Sequence, residues 1–262
     1  MRNPSTALIV THVDKLAALS FLASLSFSGV NGRWAIAGLL TILFAGAARW
    51  LRGVTTAGAL AGALSCFILY LGGGPGAFAA LVTVFILTWT TTRLGYQRKQ
   101  KLGIAERREG RNAIQVLANL GVATACAALF FLNPGKAALL LALAAALSEA
   151  AADTVSSEVG QAFGQRARMI TSWKSVPAGI DGAVSLTGTL AGITAAGIVS
   201  SVCALGGLLP WRWLPISAGA GVLGMIVDSF LGAWFERRHL LNNDSVNFLS
   251  TLVAAVASFW LT

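Results

Sequence analysis

The sequence predicts an all-α fold, a polytopic transmembrane helix bundle of about seven to nine spans with its N-terminus on the cytoplasmic side. Three observations carry this expectation. Of the 262 residues, 56% are hydrophobic and only 11% charged, with a mean hydropathy of +0.73, whereas soluble domains are roughly one quarter charged. The apolar runs show no two-residue alternation, which excludes a β-barrel and leaves helices as the way to satisfy backbone groups in lipid. The charges, finally, gather at alternate ends of those runs.

The spans are read at 14–30, 34–51, 55–72, 76–93, 112–132, 136–152, 182–203, 213–234 and 245–261. No small-residue cleavage site follows the first run, so it is read as a retained helix and not a signal peptide. The next three are short or glycine-rich. The span at 112 begins after an arginine-rich loop. The one at 182 follows an irregular stretch with Pro177, Gly179 and Gly182, and the last opens on the polar string NNDS. Together 1–262 form one integral membrane domain, with hydrophobic spans in 1–92 and the motif-bearing half in 93–262.

With the N-terminus in the cytoplasm, only Arg33, Lys136 and Arg212 of the 19 lysines and arginines fall outside, as the positive-inside rule requires. All 10 acids lie at or near the cytoplasmic side. Solvated loops account for Glu106, Glu109, Glu236 and Asp244, but not for Glu149, Asp153, Asp181 and Asp228, which sit against apolar helix ends. The net charge of +9 suits contact with anionic lipid, for which Arg98, Lys99 and Lys101 are the natural residues. Without aromatic interleaving, the basic stretch does not predict nucleic-acid binding. Cys66, Cys126 and Cys203 stand alone in apolar runs, and His12 and His239 are isolated, so neither a disulfide nor a zinc site is expected.

Ionisable groups inside a membrane are costly and mark functional sites. In ADTVSSEVG (152–160), Asp153 and Glu158 flank the hydroxyls of Thr154, Ser156 and Ser157. If the helix continues, Asp153 shares a face with Glu149 one turn earlier. These are hard oxygen donors, suited to Mg²⁺, which takes one or two carboxylates and fills its shell with water and phosphate. A helix end capped by Asp153 and Ser156 is the bland alternative.

In PAGIDGAVSLTGTLAG (177–192), Asp181 stands at the start of a span whose N-terminal N–H groups can meet phosphate, while Gly188 and Gly192 read as packing positions. In GVLGMIVDSFLGA (221–233), Asp228 needs a cation or a donor, with a metal, Lys174, Arg107, Arg108 or Arg111 as candidates. In EREGRNAIQVLAN, Arg107, Arg108 and Arg111 offer planar forks to phosphate oxygens, and Asn112, Gln115 and Asn119 share one helix face. Asn247 of the last span is a candidate neutral ligand or hydrogen-bonding group for the same mouth, and a plain helix cap by Asn243 or Asp244 is the alternative reading of that string. There is no GxxxxGK[ST] loop, no kinase glycine-rich loop and no GxSxG elbow.

Taken in order, GRNAIQVLAN, ADTVSSEVG, PAGIDGAVSLTGTLAG, GVLGMIVDSFLGA and NDSVNF resemble the integral-membrane family that includes the plastid phytyl-phosphate kinases of tocopherol synthesis. The resemblance covers the second half of the chain. It implies Mg²⁺-dependent transfer of a phosphoryl group from a nucleoside triphosphate, CTP or ATP, to a prenyl monophosphate such as phytyl or geranylgeranyl phosphate. By this likeness Asp153, Glu158, Asp181 and Asp228 are the catalytic and metal-binding acids. Arg111, Asn112, Asn119, Asn243 and Asn247 surround them, and the residues themselves add Arg107, Arg108 and Lys174 as phosphate ligands.

Cytidylyl transfer to a lipid phosphate would use the same groups. An ion or solute transporter is the alternative from another class, since intramembrane acids also mark transport pathways. A carrier needs access to both faces, however, and every acid lies toward one. The expected partners are the nucleotide, the prenyl phosphate and membrane lipid, with homo-oligomers left open.

Overall fold

A computed structural model describes residues 30–106, 109–164 and 166–260. Arg107, Arg108, His12 and nearly all of the first expected span, 14–30, lie outside the described residues. The helices are α1 (Val30–Trp50), α2 (Thr56–Arg93), α3 (Tyr96–Lys101), α4 (Ala113–Leu132), α5 (Ala138–Phe163), α6 (Leu186–Leu205), α7 (Leu214–Trp234) and α8 (Asn243–Trp260). Five elements are long and apolar enough to cross a membrane: α2, α4, α5, α6, and the stretch Trp211–Arg238 that contains α7. The helices α1 and α8 are not among the five.

α5 is the axis of the bundle. Its alanine and leucine run has high helix propensity and is apolar all round, so it forms a helix that can be buried on every face. Residues 140–152 are buried without interruption, and α2, α4, α6, α7 and α8 all pack on it. One hydrophobic cluster runs from Ala48 to Ala255 through this helix.

α2 is 38 residues long, about 57 Å if it were straight, nearly twice the hydrocarbon thickness. It is not straight. Gly74 has φ 68° and ψ −158°, outside helical space, and Pro75 follows it. Beyond this break the chain returns: Trp89 Nε1 and Arg93 donate to the Leu51 carbonyl at 3.1 and 2.7 Å. The expected spans 55–72 and 76–93 are thus the two arms of one hairpin.

The bundle has two distinct ends. At one, Arg33 donates to the Leu71 carbonyl at 2.6 Å, and Gly76 approaches Gly206 so closely that a Cβ would lie 2.7 Å from its carbonyl oxygen. Lys136 and Arg212 belong to the loops of that end. The other end joins Val54 to Arg111, Gly95 to Ala162, and Gly182 to Ala233. It carries the remaining described basic residues and the loops with Glu106, Glu109, Asp181, Glu236 and Asp244.

Three local readings are corrected. α5 continues past 152 to Phe163, so Asp153 and Ser156 are interior helix residues and not caps. Residues 167–184 form a small antiparallel sheet, order β2-β1-β3, of β1 (Ala167–Met169), β2 (Ser175–Val176) and β3 (Ala183–Val184). Gly179 and Gly182, at φ 89° and 76°, turn the chain back toward this sheet, which an all-α reading omits. α6 therefore starts at Leu186, capped by Ser185, whose Oγ accepts from Gly188 N at 3.1 Å. Asp181 lies outside this helix.

Candidate active site

α5 and α7 cross where both carry acids. A Cβ on Gly221 would lie 3.0 Å from Glu149 N, and one on Gly224 would lie 2.5 Å from Glu149 Cγ, so glycine is what lets the two helices approach. Gly188 and Gly192 do the same for α6, against the Ser156 and Ala152 carbonyls at 2.5 and 2.8 Å from such a Cβ. The packing role read for these two glycines holds, and it flanks Asp153.

Close crossing brings Asp153 of α5 within hydrogen-bonding range of Asp228 of α7. From α8, Ser250 Oγ donates to Asp228 Oδ2 at 3.2 Å and shares its proton with the Asn247 carbonyl at 3.0 Å. Glu149, 1% exposed, stands one turn deeper, in electrostatic contact with both aspartates, and its Oε1 is buried without a partner. Ionised carboxylates only accept hydrogen bonds. Two unit charges about 4 Å apart repel by roughly 4 kcal/mol at an effective dielectric near 20, so this cluster calls for a proton or a cation.

Arg111 brings a positive charge to Asp153. Its guanidinium donates to Thr154 Oγ1 at 3.2 Å and acts electrostatically on Asp153. The backbone holds it in place: Arg111 N donates to Gly53 O at 3.1 Å, and Thr55 N donates to Arg111 O at 2.9 Å. The amino-terminal half, which carries no motif, thus fixes the arginine of the motif-bearing half.

The remaining candidates divide. Glu158 accepts from Lys99 Nζ at 2.5 Å, and Lys99 is wholly buried, so it is not the lipid-facing cation its sequence context suggests. Asp181 is exposed in the turn between β2 and β3, in electrostatic contact with Glu236. Asp181, Glu236 and Asn243 line a second cavity of about 560 Å³. Asn112 closes a capping box with Gln115, accepting from Gln115 N at 3.0 Å while its own N–H donates to Gln115 Oε1 at 2.8 Å.

Asn119 is buried and donates to the Gln115 carbonyl at 2.9 Å. Lys174 is exposed next to the β1–β2 turn, and among the described residues no ion pair joins it to Asp228. Asn242, and neither Asn243 nor Asp244, caps α8, accepting from Ser245 N at 2.8 Å.

The four acids named from sequence therefore do not form one ligand sphere. Among the described residues, no three or more His, Cys, Asp or Glu side chains are arranged to hold a metal ion. The acids brought together are Asp153 and Asp228, with Glu149 behind them. The four-residue spacing of Glu149 and Asp153 was the signal for that third acid, and Thr154 stood among the hydroxyls read beside Asp153; Lys99 was read as a lipid-facing cation, and Ser250 carried no signal.

Fold and site define a polytopic integral membrane protein with a carboxylate pair buried between helices and Arg111 beside it. The chain belongs to the family described as integral membrane protein DUF92, whose profile matches residues 39–255. It is similar to Protein VTE6, chloroplastic, of Arabidopsis thaliana, at 30% identity over 86% of this chain and 70% of that one. An uncharacterized membrane protein of Synechocystis sp. is 34% identical over 68% of this chain and 70% of its own. One of Methanocaldococcus jannaschii is 32% identical over 76% and 82%. No solved structure matches the chain.

Proposed function

We propose that the protein is a membrane kinase that transfers a phosphoryl group from CTP or ATP to a prenyl monophosphate, giving the diphosphate. The observation that carries this reading is the Asp153–Asp228 pair meeting beside Arg111. Its donor set fits Mg²⁺, which takes one or two carboxylates and leaves its other positions to water and phosphate, and which neutralises phosphate charge when bound. Asp153 and Asp228 would hold the ion, with Ser250 orienting Asp228.

Phosphoryl transfer needs alignment and charge neutralisation more than a covalent catalyst. Arg111 binds and orients an acceptor phosphate, which is already ionised near neutral pH and needs no strong base. The cavity lined by Asp181, Glu236 and Asn243, whose Glu236 feels the charge of Asp153, offers room for the soluble nucleotide. The clustering of basic residues at this end supports a cytoplasmic site. The likeness to plastid phytyl-phosphate kinases points to the same chemistry, and a chloroplastic protein stands among the similar sequences.

The test incubates purified protein with labelled CTP or ATP, Mg²⁺ and phytyl, geranylgeranyl or farnesyl monophosphate. Prenyl diphosphate with a nucleoside diphosphate is the expected outcome. Release of pyrophosphate would instead identify cytidylyl transfer, and folded protein giving no product from any pair would rule out the kinase.

A further inference from the structure

We infer that the cavity adjoining Arg111 receives the apolar chain of the lipid phosphate, in a pocket built mainly by the amino-terminal half of the protein. This rests on the kinase reading for the fate of the phosphate, but the position of the chain follows from the cavity itself.

The cavity holds about 430 Å³, within the range of roughly 300–1,000 Å³ typical of small-molecule sites. It lies between α1, both arms of α2 and α4. Phe44, Leu81, Val84 and Phe85 make its apolar walls, whereas Arg52, Arg93 and Arg111 line its loop end together with a single acid, Glu106, so that end carries an excess of positive charge. A molecule with an apolar chain and an anionic head matches that division of walls.

The orientation follows from Arg111, which belongs to both the cavity and the acid site. Its guanidinium donates to Thr154, the residue after Asp153, so a phosphate on Arg111 is already at the carboxylate pair. The cavity extends from that arginine into the span region, where an apolar chain is at home.

Small residues keep the space open. A Cβ built on Gly62 meets only Val116 Cγ1, at 4.0 Å, so helix contacts do not require glycine there. Its absent side chain instead contributes room. The hairpin of α2 presents this wall and Phe85 to the same volume, a use for the fold-back that packing alone does not supply.

The experiment uses the full chain in nanodiscs and a geranylgeranyl monophosphate carrying a diazirine at the far end of its chain. Irradiation and peptide mapping are expected to label the segments around Phe44 and residues 81–85. Excess unlabelled geranylgeranyl monophosphate should suppress the label, and Gly62→Leu should reduce it about tenfold, equivalent to 1.4 kcal/mol of affinity. A parallel arm uses a diazirine-tagged phosphatidic acid. If that lipid labels the cavity equally and the prenyl phosphate does not compete, the pocket is a general lipid slot and the inference fails.

Label confined to outward residues such as Leu39 and Ile42, unaffected by competitor, also overturns it. Diphosphate formed while the label lies elsewhere would leave the kinase and remove the cavity. Competed labelling of the cavity without product would remove the kinase and leave the cavity.

Discussion

Lys99 and Glu158 form a closed ion pair 59 residues apart in sequence, with Nζ 2.5 Å from Oε2. The lysine's other hydrogens go to the Thr91 and Thr92 carbonyls at 3.2 and 2.7 Å. Every donor of a wholly buried ammonium is thus used, and the last turns of α5 are tied to the end of α2. Losing one partner of a buried pair typically costs about 3–5 kcal/mol. Glu158→Gln is therefore expected to lower the thermal unfolding midpoint in detergent, and Lys99→Met combined with Glu158→Leu should restore most of it. A Glu158→Gln protein as stable as the parent but inactive would assign Glu158 to the chemistry instead.

Asp153→Asn and Asp228→Asn are each expected to abolish diphosphate formation. Neither should reduce stability, because each removes one charge from a mutually repelling pair. Activity and unfolding are measured on the same preparation; turnover retained by either variant removes that residue from the site.

Mg²⁺ should stabilise the parent protein. Ligand at 100 times its dissociation constant contributes about 2.7 kcal/mol, visible as a rise in unfolding midpoint that EDTA reverses. In the Asp153→Asn protein the rise should vanish, and an undiminished rise would mean that the ion binds elsewhere.

Arg111→Lys retains the charge but loses the planar fork that spans Thr154 and phosphate. With about 1.5–3 kcal/mol assigned to a charged hydrogen bond, kcat/KM for the prenyl phosphate should fall roughly ten- to a hundredfold. Stability should change little, since the backbone bridge to Gly53 and Thr55 remains. Unchanged kcat/KM would separate Arg111 from the phosphate.

Gly224→Ala drives a methyl group against Glu149 Cγ and the Ser250 carbonyl, 2.5 and 2.8 Å away. Overpacking of this kind costs about 1–3 kcal/mol, measurable by thermal unfolding. Gly219→Ala on the same helix, which meets nothing within 4 Å, is the matched comparison and should be neutral.

The helical bundle was legible because lipid leaves the backbone few options, and Asp153 and Asp228 were legible because carboxylates are conspicuous among alanines. What escaped were features decided by distant contacts. Lys99 reads as a surface cation in a basic string until Glu158 meets it from another helix. Residues 167–184 lack a helical or strand period long enough to register, so a sheet of two- and three-residue strands passed as loop. The alanine run ending at 152 looked like a whole span because hydropathy falls at Asp153, although the hydrogen-bonded helix runs on for three more turns. The cavity left no motif, since its walls need only be apolar and small.

The reversal of α2 at Gly74 has a topological consequence. A segment that leaves one end of the bundle and returns to it contributes an even number of crossings, so its loss or duplication would not invert the helices that follow. Orientation of the acid-bearing helices is thereby insulated from change in the hairpin. Change confined to the hairpin therefore leaves the sidedness of the helices that carry Asp153 and Asp228 as it was.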